Sequence, residues 1–531
     1  MSTVPVTAGV RPLRPVQVRP VRLSELVNGL GLQASGGGGD PVVSGLTLDS
    51  RSVCPGDLYV ALPGQRTHGA QFSAVAAQAG AAAILTDAQG LAAAAGTGLP
   101  VMLSPHPRRV MAELAVRIYD HPADQLTCLA VTGTNGKTST CFLLEEGLRA
   151  AGHHVGTVGT LGFRLDGETL AADRTTITTP EAPDLQALFG VFRERGADTV
   201  AMEVSSVALD QHRVDGCRFS VAGFTNLGRD HLDYHHTIQA YFEAKASLFT
   251  PALSRCAVVN VDDPWGRTLL SRIRGQGMSV LTTGFAEGCD LRILRWVPSP
   301  RGGAQIDVHL PDGRVLSVET DLPGEFNVRN AVTAMAMILA AGFDLDAALP
   351  GISRARIPGR MQLVPLPDGP RVYVDFAHTP QAISSSLSAV SGRVITVLGA
   401  GGDRDQTKRS PMGRAAVLGS DVVVVTDDNP RSEDPALIRA DVLAGAQDAI
   451  ETAEPGSRVS RVLLRDGGDR RHAIDLALSL ARLQDAVVIL GKGHEKTQQV
   501  GNVTRPFDDV AVVQDLWAAQ QGRRAQRDAS V

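Results

Sequence analysis

The stretch that decides the fold reads Thr132-Gly133-Thr134-Asn135-Gly136-Lys137-Thr138-Ser139. It follows an apolar run, Leu126 to Val131, and precedes an amphipathic run, Phe142 to Ala151. That order predicts a strand, a phosphate-binding loop and a helix. The two glycines let backbone N–H groups turn toward a phosphate, Lys137 supplies a positive charge, and Thr138 offers a hydroxyl to a divalent cation. The helix N-terminus adds its positive dipole end, so we predict a nucleotide site here.

The spacing of this loop departs from the common G-x-x-x-x-G-K-[ST] pattern, because Val131 stands where the first glycine would fall. An ordinary glycine-rich turn with a solvated lysine is the alternative interpretation. The strand before the loop and the helix after it favour phosphate binding.

Composition excludes several classes of protein. The chain has 531 residues, 43% of them hydrophobic, and a formal net charge of −5, which predicts three or four globular domains and no nucleic-acid partner. The sequence contains no apolar stretch long enough to span a bilayer, so we expect no membrane insertion. Its six cysteines lack C-x-x-C pairing, which is typical of reduced thiols. The arginine- and proline-containing first twenty residues lack a signal peptide's apolar core, and we expect a cytoplasmic protein.

Apolar runs alternate with helical patterns along the chain, which predicts an α/β protein. The predicted boundaries are a flexible tail over 1–20, a small α/β domain over 21–125, a central domain over 126–358 and a third domain over 359–531.

The third domain carries five apolar runs with helical segments between several of them, which predicts a largely parallel sheet. Most of these runs end in polar clusters. Because the carboxyl ends of parallel strands share one sheet edge, the clusters predict a binding face. The glycines near Gly399 lack a clean G-x-G-x-x-G and carry two acidic residues, so we reject a dinucleotide site. The five runs are Val372–Val374, Val394–Leu398, Val422–Val425, Val462–Leu464 and Val487–Leu490.

Two further apolar runs, Thr199–Val204 and Phe219–Phe224, bring Glu203 and His231 to strand ends. Lys245 lies in a helical pattern, where a lysine is usually solvated.

These motifs, in this order, resemble those of the Mur ligases, which build the peptide of the bacterial cell-wall precursor. The resemblance covers nearly all of the chain after the tail. It implies three domains: an N-terminal UDP-binding α/β domain, a central P-loop ATPase domain and a C-terminal Rossmann-like domain. The segments that carry the resemblance are 132–138, 203–206, 226–233, the Asn327/Asn330 segment, 375–380, 402–405, 428–431 and 491–495.

The resemblance implies a ligase of peptidoglycan synthesis. It would use ATP to activate the D-glutamate carboxylate of UDP-N-acetylmuramoyl-L-alanyl-D-glutamate as an acyl phosphate and then join it to diaminopimelate. The meso isomer is the expected acceptor, and the LL isomer, with the same charges, stays open. We expect a monomer whose partners are these small molecules.

The resemblance also assigns site residues. Implied catalytic residues are Lys137, Glu203, His231 and Lys245. Implied ATP contacts are Gly133, Thr134, Asn135, Gly136, Lys137, Thr138, Ser139, Asn327, Asn330, Arg360 and Asp375. Implied contacts to the UDP-sugar-peptide are Leu48, Ser50, Gln65, Arg66, Thr67, Thr178, Thr179, Ser205, Gln211 and Arg213. Implied diaminopimelate contacts are Arg404, Asp428, Asn429, Pro430, Arg431, Gly491 and Glu495.

Mg²⁺ is the implied cofactor, with Thr138, Glu203, His231 and Lys245 as metal positions and Lys245 carbamylated. The segment Val207-Ala208-Leu209-Asp210 departs from the His-Gly-Leu that relatives often carry after the serine pair.

Two other functions stay open at this point. One is a ligase of the same architecture that adds lysine to the same precursor or glutamate to folate. The other is a nucleotide-driven binding protein or motor, which would hydrolyse nucleotide without an acceptor and would leave the polar loops of the third domain unexplained.

Overall fold

A computed structural model describes residues 13–64, 67–171, 178–299 and 302–528. The chain divides into two compact units. The first holds residues 1–293, 309–314 and 330–352, and the second holds 294–308, 315–329 and 353–531. Both contain parallel sheets with helices between the strands, which confirms the predicted α/β class. Both the predicted first domain and most of the predicted central domain fall in the first unit.

The first sheet of the first unit follows the predicted tail. Its strands run in the order β2-β7-β6-β5-β4, all parallel except β2, and β1 pairs with β3 beside it. The strands are β1 (Val21–Arg22), β2 (Gln33–Gly36), β3 (Val42–Val43), β4 (Gly45–Thr47), β5 (Asp57–Val60), β6 (Ala83–Thr86) and β7 (Pro100–Leu103). The helices are α1 (Leu23–Leu26), α2 (Ser73–Gln78), α3 (Leu91–Ala95) and α4 (Pro107–Ile118).

The second sheet of the first unit carries the phosphate loop. Its strands run in the order β11-β10-β9-β12-β8-β13-β14-β15. Six of them are parallel to one another, namely β9, β12, β8, β13, β14 and β15. The strands are β8 (Thr127–Thr132), β9 (Val155–Gly159), β10 (Gly162–Leu165), β11 (Glu168–Thr169), β12 (Thr199–Glu203), β13 (Phe219–Phe224), β14 (Ser254–Asn260) and β15 (Ser279–Gly284). The helices are α5 (Lys137–Ala150), α6 (Ala182–Glu194), α7 (Ser206–Asp210), α8 (Leu232–His235), α9 (Ile238–Ala246) and α10 (Pro264–Arg274).

After β15 the chain forms three more strands and two helices, and the first of these strands pairs in parallel with β15 through Leu291 and Arg292. These elements are β16 (Leu291–Pro298), β17 (Ala304–His309), β18 (Val315–Thr320), α11 (Glu325–Ala340) and α12 (Leu345–Arg354).

The sheet of the second unit runs in the order β19-β20-β24-β21-β22-β23, and the five strands after β19 are parallel, as predicted. Strand β19 and the hairpin β25–β26 were not predicted. The strands are β19 (Gln362–Val364), β20 (Arg371–Asp375), β21 (Val394–Ala400), β22 (Val422–Asp427), β23 (Leu463–Gly468), β24 (Ala486–Leu490), β25 (Thr497–Val500) and β26 (Val503–Pro506). The helices are α13 (Pro380–Ser388), α14 (Arg409–Gly419), α15 (Pro435–Glu451), α16 (Arg470–Leu480) and α17 (Asp509–Asp528).

Several helices begin with a capping side chain followed by proline. Asp263 accepts hydrogen bonds from the N–H groups of Trp265 and Gly266 at the start of α10. Thr379 and Asp434 cap α13 and α15 in the same way, each followed by proline. The cap satisfies an N–H group that lacks a helical partner, and proline has no N–H to satisfy, so the sequence fixes where these helices start.

The predicted flexible tail is packed over residues 14–17. The Arg14 guanidinium donates to both oxygens of Asp57, at 2.6 and 2.9 Å, and the Asp57 side chain is only 1% exposed. The backbone N–H groups of Val16 and Gln17 donate to the Glu194 carboxylate. This segment therefore joins the first sheet to α6, which corrects the prediction there, while residues 1–12 lie outside the described part.

Within the described residues, no helix is both long and apolar enough to cross a membrane.

Candidate functional site

The predicted phosphate loop joins β8 to α5, as the sequence indicated. Gly133 and Gly136 both have positive φ, +149° and +90°, which side-chain-bearing residues rarely adopt. A Cβ atom at Gly136 would also collide with the side-chain amide of Asn330, so the packing requires glycine there. The Lys137 ammonium donates to the carbonyls of Gly133 and Thr134, at 2.8 and 3.0 Å, which holds its charge over the loop.

Residues 225–228, after β13, brace the loop. Asn226 accepts from the Asn135 N–H at 3.0 Å and donates back to the Asn135 carbonyl at 3.0 Å. The Thr134 hydroxyl accepts from the Gly228 N–H at 2.8 Å. Ser139 is buried in the first turn of α5. Residues 226 and 228 thus hold the loop through Thr134 and Asn135, and Asn226 is a bracing residue that the site prediction did not include.

Glu203 ends β12 and lies beside the loop. Its Oε1 accepts from the Thr138 hydroxyl at 3.0 Å and from the Thr160 N–H at 2.8 Å, and its Oε2 accepts from the Thr160 hydroxyl at 3.1 Å. Thr138 and Glu203 therefore meet, as two of the predicted metal positions should. Thr160 was missed, because its turn after β9 carries no catalytic motif.

Lys245 is not the solvated lysine that its helix alone would indicate. Its ammonium is buried, donates to the Gly133 carbonyl at 2.8 Å and lies 4.6 Å from the centre of the Tyr241 ring. Burial lowers the pKa of Lys245 well below its ordinary value, and the nearby Lys137 charge lowers it further. Lys245 therefore lies next to the phosphate loop, and its carbamylation stays a prediction.

His231 lies at the start of α8 with φ of +52° and stacks edge-on near Tyr241. Burial lowers the pKa of its imidazole. Among the described residues, no three or more His, Cys, Asp or Glu side chains are grouped to hold a metal ion. The oxygen atoms of Thr138 and Glu203 nevertheless suit Mg²⁺, which prefers hard oxygen ligands and keeps several waters.

A second group of predicted residues surrounds the start of α7. The Thr179 hydroxyl donates to the Glu203 carbonyl and accepts from the Ser205 N–H, while the Thr178 and Thr160 hydroxyls lie 3.2 Å apart. Arg213 donates to the Thr179 carbonyl. Five predicted contacts for the sugar-peptide therefore meet around the Glu203 end of β12: Thr178, Thr179, Ser205, Gln211 and Arg213.

Arg213 is held by two side chains. It donates to Gln211 Oε1 at 2.7 Å and pairs with Glu181 at 3.0 Å. Burial nevertheless lowers its pKa. Glu181, which also pairs with Arg108 at 2.6 Å, was not predicted and links α4 to this group.

The predicted UDP contacts lie in the first sheet's turns. Leu48 and Ser50 follow β4, and Ser50 is buried. The Thr67 hydroxyl donates to Gln71 at 2.7 Å. Gln65 and Arg66 lie outside the described residues.

In the second unit, Arg360 and Asp375 are both tied into the sheet edge after β20. Asp375 accepts from the Met361 N–H at 2.7 Å and from the Ala377 N–H at 2.9 Å. The Arg360 guanidinium lies 4.4 Å from the centre of the Phe376 ring. Helix α11 contains Asn327, which belongs to the second unit and donates to the Pro323 carbonyl, and Asn330, which belongs to the first unit.

The predicted amino-acid site lies at the carboxyl ends of β21, β22 and β24, also in the second unit. Asn429 Nδ2 donates to Glu495 Oε2 at 2.7 Å and to Asp428 Oδ1 at 3.1 Å, so one amide joins two carboxylates. A Cβ atom at Gly491 would collide with Asp428. Arg431 Nη1 donates to the Gly402 carbonyl at 2.5 Å. These five residues, together with buried Pro430 and with Arg404 in the turn after β21, place all seven predicted residues at one edge of the sheet.

Lys492 adds a buried positive charge that the site prediction missed. Its ammonium donates to Glu495 Oε2 at 3.2 Å and to the Thr497 carbonyl at 2.5 Å. The edge therefore combines Asp428 and Glu495 with Lys492 and Arg431, a balance of charges suited to a zwitterionic ligand.

Comparison with known proteins identifies three family models that match successive segments of the chain. A model of the Mur ligase middle domain matches residues 131–338, one of the Mur ligase glutamate ligase domain matches 359–493, and one of the Mur ligase family catalytic domain matches 42–119.

Individual relatives are similar over nearly all of their length. The chain is 43% identical over 519 residues to the UDP-N-acetylmuramoyl-L-alanyl-D-glutamate--2,6-diaminopimelate ligase of Streptomyces coelicolor, covering 96% of this chain and 99% of that protein. It is 44% identical, with the same coverage, to the ligase of that name from Streptomyces avermitilis. A solved structure of a ligase of that name superposes with a TM-score of 0.67 at 32% identity, covering 95% of this chain and 100% of that one.

Proposed function

Since the chain belongs to the Mur ligase family, we propose that it uses ATP to add diaminopimelate to the D-glutamate of UDP-N-acetylmuramoyl-L-alanyl-D-glutamate. The similar ligases from two Streptomyces species carry that activity in their names. One observation carries the proposal for this chain: the Asn429 amide donates hydrogen bonds to two carboxylates, those of Asp428 and Glu495. Arg431 follows Asn429 by two residues in the sequence.

The reaction needs an activated carboxylate. The glutamate carboxylate attacks the γ-phosphorus of ATP, an O–P bond forms, and ADP leaves. The amine of the acceptor then attacks the acyl carbon, the C–N bond forms, and phosphate leaves while the amine loses a proton. Because phosphoryl transfer depends chiefly on positioning and charge stabilisation, the protein's task is to bring two anions together.

The first unit supplies the groups for that task. The loop amides and Lys137 face the site where phosphates bind in loops of this kind, and the α5 N-terminus adds a positive dipole end. Mg²⁺, when bound, would neutralise further phosphate charge, and Thr138 and Glu203 would hold it. Thr160 orients Glu203 through the two hydrogen bonds described above.

Carbamylation of Lys245 is part of the proposal. The neutral amine attacks CO₂, a C–N bond forms, and a proton is released, which converts the side chain into an anionic oxygen donor. The Gly133 carbonyl contact places this side chain at the phosphate loop, where an anionic donor could bind a cation beside the phosphates.

Charge explains the choice of acceptor. Diaminopimelate differs from lysine by a distal carboxylate, which Arg431 can meet with two N–H donors. Asp428 and Glu495 can accept from the ammonium beside that carboxylate. A site that leaves Arg431 unpaired when lysine binds should discriminate by about 10⁴, as in sites built to bond a group that the competitor lacks.

The experiment measures phosphate release from ATP with the UDP-dipeptide present, adding meso-diaminopimelate, LL-diaminopimelate or lysine in separate reactions. Release that depends on diaminopimelate, with a product of the summed mass less water, supports the proposal and names the isomer. Phosphate release that occurs with lysine but not with either diaminopimelate isomer would instead indicate the lysine-adding ligase. Phosphate release at the same rate with and without an acceptor would indicate a nucleotide-driven switch.

We further propose that the enzyme acts in the cytoplasm, because its proposed ligands are ATP and UDP-linked substrates, and that it acts as a monomer.

A further inference from the structure

The hairpin β25–β26 contacts the predicted amino-acid site through its backbone. The Arg431 N–H donates to the Gln499 carbonyl at 3.1 Å, and the Gly501 N–H donates to the Arg431 carbonyl at 2.6 Å. The pair forms a single parallel β-bridge between Arg431 and Val500. Arg431 has φ of +52°, a conformation that costs a non-glycine residue free energy, so the bridge holds it against its own preference.

The same hairpin fixes the Asn429 amide. The Gln499 N–H donates to Asn429 Oδ1 at 2.9 Å. Since Oδ1 is the acceptor there, the amide's Nδ2 faces Glu495 and Asp428, to which it donates. If the amide flipped, its oxygen would face two carboxylates and the carboxylate pair would lose its shared donor.

The pairing of the two hairpin strands explains why the backbone N–H and carbonyl of Gln499 can bond to Asn429 and Arg431. In β25–β26, Val500 pairs with Val503 and Gln499 pairs with Thr504. The residues next to a two-residue hairpin loop form a hydrogen-bonded pair, so the next pair, Gln499 and Thr504, directs its backbone groups outward, away from each other. Gln499 therefore faces the 428–431 loop, and Thr504 faces the opposite side.

The Gln498 side chain adds a third attachment. Its Nε2 donates to the Asp428 carbonyl at 2.7 Å. The backbone on both sides of Asn429 is thus bound to β25, at Asp428 by a side chain and at Arg431 by the bridge.

We propose that β25–β26 sets the acceptor specificity of the ligase, with Gln499 and Gln498 as positioning residues that hold Arg431 and Asn429 in their binding orientation. The inference rests on the proposed function, because it takes Asp428, Asn429 and Arg431 as the residues that meet the zwitterionic end of diaminopimelate. In the absence of these attachments, the guanidinium and the carboxylate pair no longer face the two charges of that end together.

The test compares two proline variants of the full-length protein. Gln499→Pro removes the N–H that binds Asn429, whereas Thr504→Pro places proline in the same hairpin at an N–H that faces away from the loop. The residue before each substituted position, Gln498 or Val503, already has the extended backbone conformation that the residue before a proline requires. Steady-state rates are measured with ATP, the UDP-dipeptide and diaminopimelate varied in turn, and with lysine as the competing acceptor.

We expect Gln499→Pro to raise the KM for diaminopimelate by about threefold to tenfold, the range for a lost hydrogen bond that orients a binding group. Its KM for ATP and for the UDP-dipeptide should stay within twofold of the parent value, and its preference for diaminopimelate over lysine should fall. Thr504→Pro should show none of these changes. Equal effects in the two variants, or a loss in Gln499→Pro that affects all three substrates alike, would overturn the proposal.

Two further variants separate this inference from the proposed function. Arg431→Ala tests the site assignment alone. An unchanged KM for diaminopimelate there would remove the assignment and the inference with it, whereas a large loss there with an unchanged Gln499→Pro would remove only the role of the hairpin. If circular dichroism shows that Gln499→Pro does not fold, Gln498→Ala replaces it, and a KM for diaminopimelate equal to the parent's would then contradict the proposal.

Discussion

Replacing Arg470 by methionine is expected to destabilise the protein by about 3–5 kcal/mol, the usual cost of removing one partner from a buried ion pair. Arg470 opens α16, and its guanidinium donates to both Asp509 oxygens, at 2.8 and 2.7 Å. Both side chains are 0% exposed. A third bond, at 3.0 Å, runs from Arg470 to the Leu490 carbonyl, at the end of β24.

The magnitude follows from what the substitution leaves behind. Methionine fills most of the volume, so the cavity is small, but the Asp509 carboxylate keeps its burial and loses two charged donors. At about 2–4 °C per kcal/mol for a unit of this size, the melting temperature should fall by about 6–20 °C.

The assay is thermal unfolding followed by circular dichroism. Arg470→Met with Asp509→Leu should recover much of the loss, because replacing the whole pair by apolar side chains removes the uncompensated charge. Lys496→Met is the matched control. Its ion pair with Asp508, next to Asp509, is 66% exposed on the lysine side, so it should cost about 1 kcal/mol or less. A melting temperature for Arg470→Met as high as that of the control would refute the reasoning.

Three other outcomes are expected. Arg431→Ala should lower kcat/KM for diaminopimelate by at least about 10³ while ATP binding, measured by calorimetry, is retained, since the arginine is proposed to meet only the acceptor. Equal kinetics in that variant and the parent would exclude the assignment. Lys245→Ala should lose activity that short carboxylic acids partly restore, because they would replace the carbamate oxygens; full activity without them would end that assignment. Iodoacetamide should label Cys54 and Cys256, which are partly exposed, before the four buried cysteines, as peptide mass mapping would show. Rapid labelling of all six would contradict the described burial.

The sequence predicts the phosphate loop and the parallel strands because their determinants are local. Gly133 and Gly136 require positive φ, and continuous apolar runs define the strands. The placement of Glu203 and of residues 428–431 also follows, because parallel strands collect their carboxyl ends at one edge.

Other features depend on contacts that no local pattern encodes. Lys245 is buried against the carbonyl of Gly133, 112 residues away, and Lys492 against the carbonyl of Thr497 in the unpredicted hairpin, whereas a lysine is exposed in most proteins. Thr160 reaches Glu203 only through the pairing of sheet strands. The hairpin β25–β26 is polar and exposed and lacks the alternation of a half-buried strand, although Gly501-Asn502 between two short runs is a hairpin signal that could have located it.

The ion pair between Arg14 and Asp57 bears on how shortened forms of the chain should be prepared. The first family match begins at residue 42, which invites a start near that point. A chain begun there would leave the buried Asp57 carboxylate without its guanidinium and Glu194 without the two amides that it binds. A shortened form of the protein should therefore begin no later than residue 13, and an amino-terminal affinity tag or fusion partner should be joined before that residue.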